Sequence, residues 1–508
     1  MIRTTYINTF VLVALVFTGC QLKEAPSPDA NLEGKRPNIL FVISDDQSYP
    51  YASAYGEGAV QTPAFDRVAK EGLLFTRAFV ASPGCSPSRA ALLTGLNCWQ
   101  LREAGTHASS FPREFAAFPD LLEEAGYYTG FTGKGWGPGN YKASGRERNP
   151  AGRLFRGREL KSPRDISTTD YAANFADFLE GKPGEQPFFF WLGTHEPHRR
   201  FKKGIGKENG MIAEKVRVPA FLPDVEEVRS DLLDYGFEIQ WFDKQLQKTI
   251  SLLEEAGELD NTLIVVTSDN GMPFPRAKAN VYEYGIHVPL AVRWGNEIKG
   301  GRTSDDLVSL IDLYATFLDL AGAAYPEYKT ASRSLLNIFS SDKSGIIDST
   351  RTAVFASRER HSSSRWNNLG YPQRCIRTAQ YLYIRNFKPD RWPAGAPPAF
   401  NDIDQGPERF IIRFGEDPRY AEYFRLATAK RPAEELYDIA ADPACLHNLA
   451  ESPRHDSVLH NLRGRLGAYL MQTLDPRVSG NGDVFESYTR LVGEIREFPQ
   501  PGQAAPEE

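Results

Sequence analysis

The sequence predicts a large α/β sandwich followed by a smaller α+β domain on a short antiparallel sheet. Three observations predict it. Continuous apolar runs of strand length, rich in β-branched residues, end in polar side chains, as buried parallel strands do at their carboxyl ends. Helical patterns alternate with these runs, the order expected of an α/β layer structure. After about residue 350 the apolar runs shorten and a Pro-rich stretch intervenes, the texture of a second, antiparallel unit.

Taken in order, Met1-Ile2-Arg3, an apolar stretch from Phe10 to Phe17 and Thr18-Gly19-Cys20 have the layout of a bacterial export signal over residues 1–20. The stretch is too short to span a membrane. Small residues before Cys20 resemble a lipobox, in which Cys20 becomes a lipid-anchored N-terminus, although Phe17 stands where Leu is usual; a plain cleaved signal is the alternative. Either way the mature chain is expected outside the cytoplasm, in the periplasm or at the cell surface. Residues 21–36 read as a tether.

The main domain is expected over 37–350. Asn38 to Ser44 is its first strand, ending in Asp45-Asp46, and further strands are expected at Pro187 to Gly193, Thr262 to Thr267 and Val288 to Arg293. Helical patterns fall around 118–126, 168–180, 229–256 and 307–321. In the longest of them Leu232, Leu233, Phe237, Ile239, Phe242, Leu246, Ile250 and Leu253 form a core-facing stripe. The smaller domain, 351–490, has short runs (TAVFAS, YLYIRNF, ELYDI), a Pro-rich segment from Pro389 to Pro398 and a final helical pattern near 454–472; residues 491–508 read as a polar tail.

The 508 residues are 24% charged and 41% apolar, and 59 basic against 65 acidic residues leave a net charge of −6, which excludes disorder, collagen and a polytopic membrane protein. No long Lys/Arg block exists, which argues against nucleic acid as partner. The five cysteines, Cys20, Cys85, Cys98, Cys375 and Cys445, are too sparse to imply a disulfide framework, and no CxxC signature announces structural zinc.

Four segments concentrate reactive side chains. Asp45-Asp46 puts two carboxylates together after a strand, a pair that repels unless a cation lies between; a helix cap with a neighbour is an equal reading of the dyad alone. Cys85-Ser86-Pro87-Ser88-Arg89 is the second segment, and its Pro and Arg are not explained by a small apolar Cys at a helix start. His195-Glu196-Pro197-His198-Arg199 follows the FFFWLG strand and sets two histidines around a proline. Ser268-Asp269-Asn270-Gly271 adds two oxygens for a cation, and Arg276 and Lys278 add charge for an anion.

The Cys-x-Pro-Ser-Arg stretch, continued by Ala90-Ala91-Leu92-Leu93-Thr94-Gly95, resembles the signature of type I sulfatases. The likeness runs from Pro37 to Glu435-Leu436-Tyr437-Asp438 and Asp442-Pro443. Within that family HEPHR, SDNG followed by PFP, Gly370-Tyr371-Pro372 with Arg374, and Asn386-Phe387-Lys388 look most like the heparan N-sulfatase group. The resemblance implies an alkaline-phosphatase-like sandwich with a large mixed, mostly parallel sheet, and an exo-acting hydrolase of sulfate esters or N-sulfates on sulfated saccharides. It implies that a formylglycine-generating enzyme converts Cys85 to formylglycine, whose aldehyde hydrate is the nucleophile. A calcium ion would be held by Asp45, Asp46, Asp269, Asn270 and an oxygen of modified Cys85, with magnesium as the alternative. Arg89 would steady the hydrate, Lys134 and Lys278 grip sulfate, His198 protonate the leaving group and His195 touch the sugar.

There is one departure. The family usually places a histidine two residues after the lysine matching Lys134, and this chain reads Gly133-Lys134-Gly135-Trp136. His107 standing in, or Trp136 walling the sugar pocket, are the alternatives. Glu103, His107, Arg199, His361 and Arg374 are expected substrate contacts, because a sulfated sugar needs both stacking surface and cations. Two other functions compete: a phosphate or phosphonate hydrolase of the same superfamily, and a surface lipoprotein that binds glycan without cleaving it.

Overall fold

The computed structural model describes residues 32–295, 297–404, 415 and 417–500. The export signal, Cys20, residues 21–31 of the tether and the tail from 501 lie outside the described residues. Among the described residues no helix is long and apolar enough to cross a membrane.

An eight-stranded sheet forms the centre: β1 (Asn38–Ser44), β2 (Leu73–Phe79), β3 (Tyr128–Gly133), β4 (Phe188–Gly193), β5 (Thr262–Ser268), β6 (His287–Arg293), β7 (Arg302–Ser304) and β8 (Val308–Ser309). Its order is β3-β4-β1-β5-β6-β2-β7, with β8 beside β2. Strands β3, β4, β1 and β5 run parallel, and β6 is antiparallel to both β5 and β2, so the sheet is mixed and mostly parallel as expected. Alternation along β1 sends Ile39, Phe41 and Ile43 into one buried layer and Leu40 and Val42 into the other. The first layer holds α2 (Cys85–Thr94), α3 (Phe118–Glu124) and α6 (Asp312–Ala321); the second holds α1 (Pro63–Glu71), α4 (Tyr171–Glu180) and α5 (Glu226–Glu255). Every residue of the stripe expected along α5 is buried.

The pattern reading overlooked β2, β3, α1 and α2. Strand β3 reads YTGFTG, whose glycines and threonines leave no apolar run; it is a strand because β4 pairs with it along its whole length. The helical pattern at 307–321 divides, with β8 at Val308–Ser309 and α6 starting only at Asp312.

The second sheet is antiparallel, in the order β12 (Glu434–Asp438), β11 (Tyr381–Asn386), β10 (Gln373–Arg377), β9 (Val354–Arg358). Helix α7 (Asp456–Gln472) covers it with Leu459, Leu462, Leu466 and Leu470, and Trp99 from the first unit enters the same core. The Cys85, Cys98, Cys375 and Cys445 thiols are free and buried.

Arg374, expected at the sugar, is instead wholly buried in this second unit. It pairs with Glu359 at 2.7 Å and Asp475 at 2.6 Å and lies near the Trp99, Phe387 and Phe485 rings. A guanidinium removed from water needs two carboxylates more than a solvent-borne ligand, and here it has them.

Candidate active site

Strand ends bring the chemistry to one edge. Asp45 and Asp46 follow β1, Lys134 follows β3, His195 and Glu196 come just after β4, and Asp269 and Asn270 follow β5. The pairings Ser44 with Ser268, Ile43 with Gly193, and Gly133 with Gly193 bring these ends level. This is the carboxyl edge, where open α/β sheets hold ligands.

Backbone geometry completes the aim. Gly133 has φ +68°, and a Cβ there would stand 2.1 Å from the Gly193 carbonyl oxygen, so only glycine lets the chain turn back to Lys134. Asp46, a non-glycine residue at φ +74°, donates its N–H to Asp269 Oδ1 at 3.0 Å, which ties the two carboxylates together.

Cys85 opens α2 and is buried, with Sγ 3.5 Å from Asp45 Oδ1 and 3.8 Å from Asp46 Oδ1. Burial pushes its thiol well above the usual range against the pull of Lys134 and Lys278, so the unmodified thiol is a poor nucleophile. One turn along α2, Arg89 donates Nε–H to Asp269 Oδ2 at 2.7 Å and Nη1–H to the carbonyls of Lys134 and Gly135. Lys134 Nζ donates to Asp45 Oδ2 at 2.5 Å, and Lys278 Nζ to Asp46 Oδ2 at 2.6 Å.

These charges divide the carboxylates. Burial opposes ionisation of Asp45, but Lys134, His198, Arg89 and Lys278 outweigh it and hold the group well below its usual range. At Asp46 and Asp269 burial prevails and raises each to about 6, with Lys278 opposing it at the first and Arg89 at the second. Oxygens of Asp45, Asp46 and Asp269 lie within 4.8 Å of one another, and Asn270 Oδ1 is a buried acceptor without a donor. Three converging carboxylates and an orphaned amide oxygen fit a hard cation, which supplies the charge their crowding lacks.

His198 Nε2 is 3.8 Å from Asp46 Oδ2, and its Nδ1 bonds the Arg199 carbonyl. Desolvation, then the Lys278 charge, lower the ring to about 4. A cleft of about 740 Å³ opens above, lined by Asp45, Lys134, His195, His198, Arg200 and Glu238 among others.

The structure therefore brings together Asp45, Asp46, Cys85, Arg89, Lys134, His198, Asp269, Asn270 and Lys278, with the exposed His195 on the cleft wall. Other expected contacts sit differently. Arg199 borders the cleft, but its guanidinium is engaged by Asp231 at 2.5 and 3.1 Å and lies 4.5 Å from both the Phe201 and Phe274 rings, so it builds the wall. Glu103 is not among the cleft-lining residues and pairs with Arg102 at 3.6 Å. His107 and His361 are buried 4.5 Å apart, ring to ring, and His361 packs on the loop before Cys85, where a Cβ at Gly84 would meet its Nδ1 at 3.1 Å. Trp136 does not wall a sugar pocket: its buried ring packs edge-on to Phe111, and Nε1–H donates to the Ser86 carbonyl at 3.1 Å.

Sequence reasoning missed Glu238, Asp165 and Asp404. Glu238 belongs to the apolar stripe's own helix, and Asp404 comes from the second unit, so neither stands in a motif that announces it.

Residues 37–323 match the family model described as Sulfatase, and residues 276–394 match that described as N-sulphoglucosamine sulphohydrolase, C-terminal. The chain is 30% identical over 488 residues to the human N-sulphoglucosamine sulphohydrolase, covering 88% of this chain and 93% of that one. It is 25% identical to an ulvan-active sulfatase of Formosa agariphila, over 86% of this chain and 75% of the relative. Among solved structures, one bound to its substrate D-glucosamine-2-N,6-O-disulfate superposes with a TM-score of 0.60 at 21% identity, covering 87% of this chain and 99% of the other. A 2-O glycosaminoglycan sulfatase does so with 0.62 at 19%, covering 87% and 94%. Those two likenesses speak for the shared fold alone. The family match over more than half of the residues, with an end-to-end relative at 30% identity, shows that this chain belongs to the sulfatase family, as a sulfuric ester or sulfamate hydrolase.

Proposed function

We propose that the chain removes the N-linked sulfate of glucosamine from the non-reducing end of a sulfated saccharide. The observation that carries this reading is the 30% identity to human N-sulphoglucosamine sulphohydrolase, which spans both units and 93% of that protein. Asp45, Asp46 and Asp269, with the unpartnered Asn270 Oδ1, hold the cation, for which calcium is our choice because all four donors are oxygens. Cys85 is the residue converted to formylglycine by a generating enzyme during maturation.

Formylglycine, when formed, supplies a hydrated aldehyde as nucleophile, and the cation supplies positive charge against the sulfate oxygens. The chain's own residues do the rest. Lys134 and Lys278 exchange their carboxylate partners for sulfate oxygens, and Arg89, wholly buried, fixes Asp269 and the Lys134 backbone so that the cradle does not move. His198 gives the leaving nitrogen its proton; burial and then the Lys278 charge hold the ring neutral, and a bound sulfate opposes the second of these, which favours the donor form with substrate in place. His195, on the cleft wall, contacts the sugar. Export to the periplasm or cell surface, with a lipid anchor at Cys20, is supported by residues 1–20 alone.

The test is release of inorganic sulfate from N-sulfoglucosamine, 6-O-sulfoglucosamine and 4-nitrophenyl sulfate, with 4-nitrophenyl phosphate as comparator. Protein from a host that forms formylglycine is expected to prefer the sulfamate, to show an aldehyde at Cys85 by hydrazine trapping and mass spectrometry, and to carry stoichiometric calcium by elemental analysis. Preference for the phosphate ester, or for an O-sulfate, overturns the substrate assignment.

A further inference from the structure

The second unit contributes one carboxylate to the reaction centre. Asp404 Oδ2 stands 3.2 Å from Lys278 Nζ, and a carboxylate oxygen of Asp404, one of Asp46 and a ring nitrogen of His198 lie within 4.8 Å of one another. Residue 404 lies beyond both matched stretches, 37–323 and 276–394. Its segment is anchored. Asp402 pairs with Arg358 at 2.5 Å and Arg365 at 2.8 Å and accepts the Ser362 N–H, while Ile403 is buried with Ala394, Phe400 and Ala427. Asp404 follows directly, and its side chain keeps 24% of its surface exposed. Lys278 Nζ donates to Asp46 Oδ2 at 2.6 Å and pairs with Asp404 Oδ2 at 3.2 Å, and no well-aligned hydrogen bond reaches that buried Asp404 oxygen.

A carboxylate beside the proton donor has little to offer an ester. R–O–SO3− and water yield a neutral alcohol. A sulfamate differs at two stages: R–NH–SO3− carries an N–H at the scissile atom, and R–NH–SO3− + H2O → R–NH3+ + SO4 2− leaves a cation. The S–N bond breaks, nitrogen keeps the electron pair and takes one proton from His198 and one from solvent, and the two protons of the water consumed return to His198 and to solvent. A fixed anion accepts a hydrogen bond from that N–H and then pairs with the ammonium, charge-assisted in both cases.

We propose that Asp404 is a specificity-determining residue, binding the leaving nitrogen and thereby favouring N-sulfate over O-sulfate. The inference rests on the N-sulfate reading above. The alternative is that Asp404 serves only as a counter-ion that positions Lys278, in which case its loss weakens sulfate binding for every substrate alike.

Two measurements on Asp404→Asn separate these. The first is the ratio of kcat/KM for N-sulfoglucosamine to that for 6-O-sulfoglucosamine, which does not depend on the fraction of folded or modified protein. It is expected to fall by about tenfold, the size of one charge-assisted hydrogen bond. The second needs no formylglycine: calorimetric binding of glucosamine to the Cys85 thiol form, expected to weaken about tenfold in the variant, while N-acetylglucosamine binding is unchanged. Asp404→Glu is expected to recover part of both. Equal losses on both substrates, or unchanged glucosamine affinity, overturn the role of Asp404 while leaving the N-sulfate reading in place. A wild-type chain that cleaves the O-sulfate and not the sulfamate overturns that reading, and this inference with it.

Discussion

At Cys85 the surroundings argue against chemistry by an unmodified thiol. The side chain is buried against two carboxylates, and its thiol is pushed well above the usual range. Cys85→Ser offers one hydroxyl where an aldehyde hydrate offers two, so steady-state sulfate release is expected to fall by at least about a thousandfold. Sustained turnover by that variant, followed as inorganic sulfate over many enzyme equivalents, contradicts the assignment. The tryptophan that stands where the family usually has a histidine has a packing role at this scale too. Trp136 is a structural side chain bonded to the Ser86 carbonyl, and His361 of the buried His107–His361 pair packs on Gly84, just before Cys85. Motif residues were legible in the sequence because the chemistry demands unusual types at short spacing. Arg374 and Arg199 were misjudged for the converse reason: an arginine in a sequence carries no sign of whether a buried carboxylate will claim it, and Asp475 and Asp231 do so from 101 and 32 residues away.

Among elements, the junction of β3 and β4 decides where Lys134 points. Lys134 N–H donates to the Gly193 carbonyl at 2.7 Å, and Gly133 approaches that same oxygen where no Cβ fits. Gly133→Ala combines a left-handed φ with a backbone clash, so it is expected to cost at least about 2 kcal/mol of stability. In the folded fraction it is expected to lower kcat/KM by more than about tenfold through a displaced Lys134. A variant with wild-type melting temperature and activity shows that the turn is not needed. Strands β1, β4, β5 and β6 were readable as uniform apolar runs because both faces are covered. Strand β3 was not, since its identity comes from pairing with β4, a long-range event that leaves no local mark.

Across the whole molecule, the two units meet through ion pairs that each half of the sequence conceals from the other. Glu283, just before β6, bonds Arg377 of β10 at 2.7 and 3.0 Å; burial alone raises such a group, but Arg377, with His287, holds it down to about 2. Because its folded value lies below the unfolded one of about 4.5, the contribution is full above pH 4.5 and disappears as pH falls toward 2. Glu283→Gln is therefore expected to cost about 3 kcal/mol at pH 7. In urea titrations the gap from wild type is expected to narrow at pH 4; a gap independent of pH refutes the charge argument. The sequence by itself showed the α/β class and the carboxylates and reactive motifs that follow its strands, because strand patterning and motifs are local properties, whereas Lys134 was named only through the family resemblance. Only the tertiary structure decided which arginines are scaffold, that Trp136 is core, and that Asp404 reaches Lys278 from the second unit. Those outcomes depend on which side chains burial brings together across tens to more than a hundred residues, and no local pattern encodes such a meeting.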